Sequence, residues 1–178
     1  TGRAVAEAGG LVTFGVTPDR AETGYGWLER ADADNAGAQP LTRFVEKPDA
    51  DTAQAMLADP RYLWNAGVFL FSVTGILAAF RRHAPDLLDP VQAAVDGARA
   101  DLNFFRLEPD GWAQAKDTSI DYAVMEKADN LSVVPFAGRW SDLGGWDAVW
   151  REMARDGDGN AVGDQGLAMD CSNSLIRS

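Results

Sequence analysis

The 178-residue chain carries one cysteine, Cys171, and one histidine, His83. A lone cysteine excludes an intramolecular disulfide and any zinc site built from several thiolates. Near the C-terminus it reads as a small packing residue, and a reducing cytoplasm is the natural setting for such a chain. His83 falls beside Arg81 and Arg82 on a polar helix end, where it reads as a solvated cap; a histidine-based triad has no support. Positive charge is also scarce: 16 Lys and Arg against 27 Asp and Glu give a formal charge of −11, with a pI near 4.4. A polyanion such as DNA meets a repulsive mean field, so no nucleic-acid partner is expected. A small anion stays compatible where a few local cations or a metal neutralise it. No apolar run approaches the roughly 20 residues that cross a bilayer, and residues 1–18 lack the charged-then-apolar order of a signal peptide. No membrane partner is expected either. Neither G-x-x-x-x-G-K-[ST] nor G-x-G-x-x-G occurs. DGDGNA, residues 156–161, begins like a calcium loop, but Ala161 stands where the glycine belongs and Leu167 where the bidentate glutamate would be, so it reads as a turn.

What is present is an ordinary globular composition, 46% hydrophobic and 24% charged, in which apolar runs alternate with helical periodicity. LVTFGV, residues 11–16, is a continuous β-prone run that predicts a strand buried on both faces. GYGWLE at 24–29 and LTRFVEKP at 41–48 read as further strands, the second ended by Pro48. A short helix over 49–60 is expected to be capped near Asp51. WNAGVFLFSV at 64–73 is a strand, after which Thr74 is expected to cap a helix running through Ile76, Leu77 and Phe80 and stopping before Pro85. Asp89 and Pro90 open another helix, with Val91, Ala94, Val95 and Ala98 on one face. Residues 101–116 fit neither period. Thr118 and Ser119 offer caps for a helix over SIDYAVMEK, LSVVPF at 131–136 is a strand, and WDAVWREMA at 146–154 is helical. From Asp156 the chain turns rich in Gly, Asp and Asn, which marks a boundary between residues 1–155 and 156–178. The alternation predicts an α/β fold, a sheet with helices on its faces.

Four polar positions stand out against this frame. Glu46 and Lys47 precede Pro48, whose ring restricts the residue before it to extended geometry. Neighbours on a strand point to opposite faces, so both can address one ligand only where the strand ends or bends; a solvated charge pair at a strand end is the competing reading. Asn65 lies between Trp64 and the apolar VFLF run, where an amide needs a partner, or simply caps a turn. Asp142 sits between Trp140 and Trp146, an apolar setting in which a carboxylate is expected to be protonated, paired or bound to metal; capping the following helix is the alternative.

The segments ETGYGWLE, FVEKPD, WNAGVFLF, SIDYAVMEK and RWSDLGGWDAVW occur in the order and near the spacing of the sugar-nucleotide pyrophosphorylases. Essentially the whole chain resembles the bacterial mannose-1-phosphate guanylyltransferases, including those fused to a phosphomannose isomerase. The resemblance implies the C-terminal portion of a Rossmann-like nucleotide-diphospho-sugar transferase fold, a mixed sheet with helices on both faces. It implies that residues 1–155 form the sugar-phosphate half of a nucleotidyltransferase domain and that 156–178 begin a β-rich segment. By position, Glu46 resembles the carboxylate that accepts from sugar hydroxyls, Lys47 the cation on the sugar phosphate, Gly26 the glycine whose backbone approaches the sugar, and Asn65 a further sugar contact. Asp142 matches the aspartate that binds Mg²⁺. The partners implied are GTP and mannose 1-phosphate, joined by in-line attack of a sugar-phosphate oxygen on the α-phosphorus to give GDP-mannose and pyrophosphate. The family's glycine-rich loop, G-x-G-x-R-L-x-P-L, and a second metal aspartate are not in this sequence. Alone, the chain is therefore expected not to turn over, to expose a sheet edge and an apolar face, and to form a homo-oligomer. Ala66, Leu143 and Gly145 replace residues common in the family. A glucose-1-phosphate thymidylyl- or uridylyltransferase and a non-catalytic sugar-phosphate-binding module are the alternatives.

Overall fold

A computed structural model describes residues 1–177. The chain divides into two compact units, Thr1–Ala137 and Gly138–Ser178. This division falls ahead of the compositional boundary at Asp156 and assigns the RWSDLGG stretch to the second unit.

In the first unit, α1 (Gly2–Glu7) leads into β1 (Leu11–Val16), β2 (Gly26–Arg30) and β3 (Gln39–Glu46), and α2 (Ala50–Leu57) then leads to β4 (Tyr62–Leu70). α3 (Val73–His83), a 3₁₀ turn at Pro85–Leu87 and α4 (Leu88–Asp96) follow. After them come the hairpin of β5 (Arg99–Asp101) and β6 (Phe104–Arg106), α5 (Pro109–Gln114), a π-helical turn at Asp121–Met125, and β7 (Leu131–Phe136). The main sheet has the order β1-β4-β2-β3-β7 and closes back on β1. β1 runs parallel to β7, from Leu11 opposite Leu131 to Val16 opposite Phe136, whereas its pairing with β4 is antiparallel. The sheet is therefore mixed, as expected. The open edge anticipated for it is not found: each of the five strands hydrogen-bonds to two neighbours, which removes the unpaired row of N–H and C=O groups that an edge presents.

Periodicity explains which faces are covered. β1 is buried along its length apart from the half-buried Phe14, the pattern of a strand packed on both sides. Its register against β4 shifts between Thr13 and Gly15. A Cβ at position 15 would lie 2.6 Å from Leu63 Cδ1, so glycine lets Leu63 pack directly on the strand. Leu28, Leu63 and Val133 form one buried cluster with Leu41 and Phe44 against it. A larger cluster joins Leu11 and Leu131 of the sheet to Ile76 and Ala79 of α3 and to Ala123, Val124 and Met125 of the π-helical turn. Each Leu, Ile, Val or Met side chain among them contributes on the order of 1.5–3 kcal/mol on burial.

Several local expectations are corrected. α3 is capped by Ser72, whose Oγ accepts from Gly75 N at 3.0 Å, not by Thr74. α2 is capped by Asp49, which accepts from Thr52 N at 2.8 Å, two residues ahead of Asp51, which falls in the first turn. Ala98 lies beyond the end of α4, and Val95 is 41% exposed, leaving Ala94 as that helix's buried residue. Residues 101–116 resolve into part of the β5–β6 hairpin and α5. SIDYAVMEK forms one wide turn, with Ser119 Oγ accepting from Tyr122 N.

The second unit contains α6 (Trp146–Glu152) and the parallel pair β8 (Ala161–Val162) and β9 (Leu175–Ile176). DGDGN is a turn, as predicted: Asp156 accepts from Asp158 N and Asn160 N. The buried Asn160 then ties the turn to Cys171 O and Ser174 N. Among the described residues no helix is long and apolar enough to cross a membrane.

Candidate functional site

The site in the first unit is assembled where β3, β2 and β4 lie side by side. Gly26 opens β2 opposite Glu46, the last residue of β3. A Cβ at position 26 would stand 2.6 Å from Glu46 Oε2, 3.2 Å from Asn65 Cβ and 3.2 Å from Phe44 Cε1. Glycine thus lets the Glu46 carboxylate and the Asn65 side chain close over this backbone from the two flanking strands, a cradle with no room for a side chain at position 26. Gly26 and Asn65 are buried; the Glu46 side chain is only 9% exposed, while that of Lys47 is 57% exposed.

Lys47 is not extended. Its φ is 46°, in the left-handed region, against the expectation that Pro48 would hold it in β geometry. Its N–H still donates to Tyr25 O at 3.2 Å, so the β2–β3 ladder continues one step past the strand end before the chain turns. The turn brings Lys47 Nζ within 3.3 Å of Glu46 Oε1, which is the bend that two adjacent residues need in order to face one ligand.

Burial pushes the Glu46 carboxyl above its ordinary value; the Lys47 ammonium draws it back, and the charges of Asp121 and Glu126 push it further up. Glu126 Oε1 also accepts from Glu46 N at 3.1 Å. Asn65 is held on three sides. Its Oδ1 accepts from Thr13 Oγ1 at 2.9 Å and from Gly67 N at 3.2 Å, and its Nδ2 donates to Asp121 Oδ1 at 3.1 Å. Sequence reasoning missed Thr13, Asp121 and Glu126. A lone hydroxyl in the β1 run was a usable signal for Thr13, since a buried polar group requires a partner.

Asp142 belongs to the second unit. It is exposed, and Trp146 is 71% exposed, so the apolar setting inferred from the flanking tryptophans is not realised. α6 is capped at Gly145 without any side-chain bond, which removes the helix-capping reading of Asp142. The residue occupies a tight loop: Leu143 has φ 49° and its N–H donates to Ser141 Oγ at 3.3 Å. A Cβ at Gly144 would collide with the Asp142 carboxylate, so glycine there is what lets the carboxylate fold over the following backbone. Among the described residues no group of three His, Cys, Asp or Glu side chains is gathered for a metal. An all-protein cage is thus unavailable there, but a single carboxylate fits Mg²⁺, which keeps waters and substrate phosphates as its other ligands.

The mixed sheet with its accompanying helices is an α/β fold shared with nucleotidyl transferases. The chain belongs to the nucleotidyl transferase family, whose model matches residues 2–159. It is 44% identical over 173 residues to a mannose-1-phosphate guanylyltransferase of Sinorhizobium fredii, covering 97% of this chain and 34% of that protein. It is 43% identical over 171 residues to the xanthan biosynthesis protein XanB of Xanthomonas campestris pv. campestris, covering 96% and 36%. A solved structure from Thermus thermophilus, described as mannose-1-phosphate geranyltransferase, superposes with a TM-score of 0.74 at 34% identity over 92% of this chain and 46% of that one. The chain spans about a third of the length of these curated relatives.

Proposed function

We propose that this chain supplies the sugar-phosphate portion of a mannose-1-phosphate guanylyltransferase. That enzyme would take GTP and mannose 1-phosphate to GDP-mannose and pyrophosphate in the cytoplasm, as a step in nucleotide-sugar and polysaccharide biosynthesis. The observation that carries the reading is the Gly26 cradle between Glu46 and Asn65, with Lys47 turned toward Glu46. In it Glu46 accepts from ring hydroxyls, Asn65 donates to one, Gly26 lets the ring approach the backbone, and the Lys47 ammonium meets the sugar phosphate. The sugar-phosphate oxygen is thereby positioned for in-line attack on the α-phosphorus of GTP, and the chain's contribution is orientation together with charge neutralisation. Asp142 would be the one side chain here that holds Mg²⁺, and the ion, when bound, neutralises phosphate charge.

Titration calorimetry of the chain with mannose 1-phosphate, with and without Mg²⁺, tests this. Wild type should bind, Glu46→Gln should bind at least about tenfold more weakly given the worth of hydrogen bonds to a charged group, and Asp142→Asn should lose whatever enhancement Mg²⁺ gives. Equal affinities for all three proteins would remove the assignment. A parallel titration with glucose 1-phosphate separates the mannose reading from a thymidylyl- or uridylyltransferase.

A further inference from the structure

Asn65 is constrained more tightly than a residue that merely contacts sugar requires. The Gly67 N–H can only donate, so the side-chain atom it meets at 3.2 Å must be the amide oxygen. That oxygen also takes the Thr13 hydroxyl at 2.9 Å and so has both lone pairs used. The amide nitrogen faces Asp121, a group that in its ionised form only accepts. Three separate elements, β1, β4 and the π-helical turn, thus agree on which way the amide points. One N–H of Asn65 is left over from these bonds, and Asn65 Cβ lies 3.2 Å from where a side chain at position 26 would begin. π-Helical turns are uncommon and frequently accompany functional sites; this one lies at the position that supplies Asp121.

We infer that Asp121 is a positioning residue: by accepting from Asn65 Nδ2 it fixes the amide as a single-hydrogen-bond donor to one ring hydroxyl, and so sets which hexose 1-phosphates are accepted. The inference rests on the sugar-phosphate reading of the cradle. Glu46 on the other side can only accept when ionised, so the cradle presents one donor and one acceptor across the missing side chain of Gly26. A hydroxyl held by Asn65 is read through its oxygen, and one held by Glu46 through its hydrogen. Asp121 does not need to touch the sugar for this to hold.

The test uses the whole chain and a set of hexose 1-phosphates, namely mannose 1-phosphate and analogues each lacking or inverting one ring hydroxyl, with dissociation constants from calorimetry. For wild type, one analogue should bind about tenfold more weakly than mannose 1-phosphate because it lacks the oxygen that Asn65 serves. In Asp121→Ala that ratio should fall to near one, while Asp121→Asn, which can still turn a carbonyl oxygen to Asn65, should keep it. A purely structural role would weaken all sugars alike and leave the ratio unchanged. Should Asp121→Ala fail to fold, Asp121→Ser, too short to hold Asn65 Nδ2 in the same way, should lower the same ratio. Unchanged ratios in Asp121→Ala, or in Asp121→Ser if that variant is the one tested, would overturn the inference; so would a collapse in Asp121→Asn as complete as in Asp121→Ala. Glu46→Gln keeps the two proposals apart. If it weakens binding while the Asp121 variants keep the wild-type ratio, only the positioning role fails. If wild type binds no hexose 1-phosphate, both fall.

Discussion

Lys47 offers a comparison that separates backbone from side chain. A residue with a Cβ in the left-handed region is strained by about 1–2 kcal/mol relative to glycine, and Lys47 has φ 46°. Glycine gives back about 0.5–1 kcal/mol through the freedom of its unfolded chain. Lys47→Gly and Lys47→Ala both delete the ammonium, so the lost 3.3 Å pair with Glu46 cancels between them. That pair is in any case worth no more than about 1 kcal/mol with the lysine half exposed. What remains is the backbone difference, which favours glycine at this position by about 0.5–1 kcal/mol, whereas in an ordinary strand alanine would win by a similar amount. In thermal unfolding followed by circular dichroism, the glycine variant should melt about 1–4 °C above the alanine variant, from the usual ratio of 2–4 °C per kcal/mol for a chain of this size. An alanine variant equal to or more stable than the glycine variant would refute the claim that position 47 is strained. Both variants should lose the same affinity for mannose 1-phosphate, about tenfold to a hundredfold if the ammonium meets the phosphate directly. A glycine variant that keeps wild-type affinity would show that the ammonium makes no such contact.

Burial raises the Glu46 carboxyl above its ordinary 4.5, so the folded chain holds that proton more tightly than the unfolded chain does. Its contribution to stability therefore grows as pH falls through the window just above 4.5 and is lost as pH rises past the folded value. Urea titrations from pH 7 to 5 should find wild type gaining on Glu46→Gln as pH falls, while its sugar affinity declines and that of Glu46→Gln stays flat; the opposite slope would exclude the raised pKa. Gly26→Ala should displace the Glu46 carboxylate and crowd Asn65, costing about 1–3 kcal/mol as an overpacking change and abolishing measurable sugar binding; retained affinity would show that the cradle is not where the ring sits. Ser72→Ala removes the α3 cap and should cost about 1 kcal/mol in chemical denaturation, whereas Thr74→Ala should cost less. Asp142→Asn should leave the unfolding midpoint within about 0.5 kcal/mol of wild type, as for exposed positions, and change only the response to Mg²⁺.

Much of the fold is legible because β1 and β7 are unbroken β-prone runs. LVTFGV and LSVVPF form strands with the bounds that the runs suggest. Cap identity is less legible. Ser72 and Thr74 stand two residues apart and either hydroxyl could serve, so the choice depends on where α3 begins its first turn. The β5–β6 hairpin escapes pattern reading because Phe104 and Phe105 are adjacent and both 65% exposed, which defeats a rule that expects alternation. Sheet closure depends on the meeting of Gln39 and Pro40 with Val133 and Ser132. Nothing local to either segment specifies that contact, and an open edge was the natural expectation.

The site divides in the same way. Glu46, Lys47, Gly26 and Asn65 could be picked out because charge, glycine and amide stand out in apolar strands, but the conformation that brings them together was not visible. Among the described residues five non-glycine positions have positive φ: Lys47, Leu102, Leu143, Asp170 and Asn173. Asp170 and Asn173 are of types that tolerate it, and Leu102 lies between the paired residues Asp101 and Phe104 at the hairpin tip. Lys47 and Leu143 have no such excuse, and each directly follows a carboxylate singled out as a ligand, Glu46 and Asp142. Strain of this kind persists where the surroundings over-determine it, and it gathers at ligand clamps. At Lys47 its effect can be stated physically. In a continuing strand Glu46 and Lys47 would point to opposite faces; the left-handed turn instead brings Nζ to the same side as the carboxylate, so one strand end presents a carboxylate and a cation together.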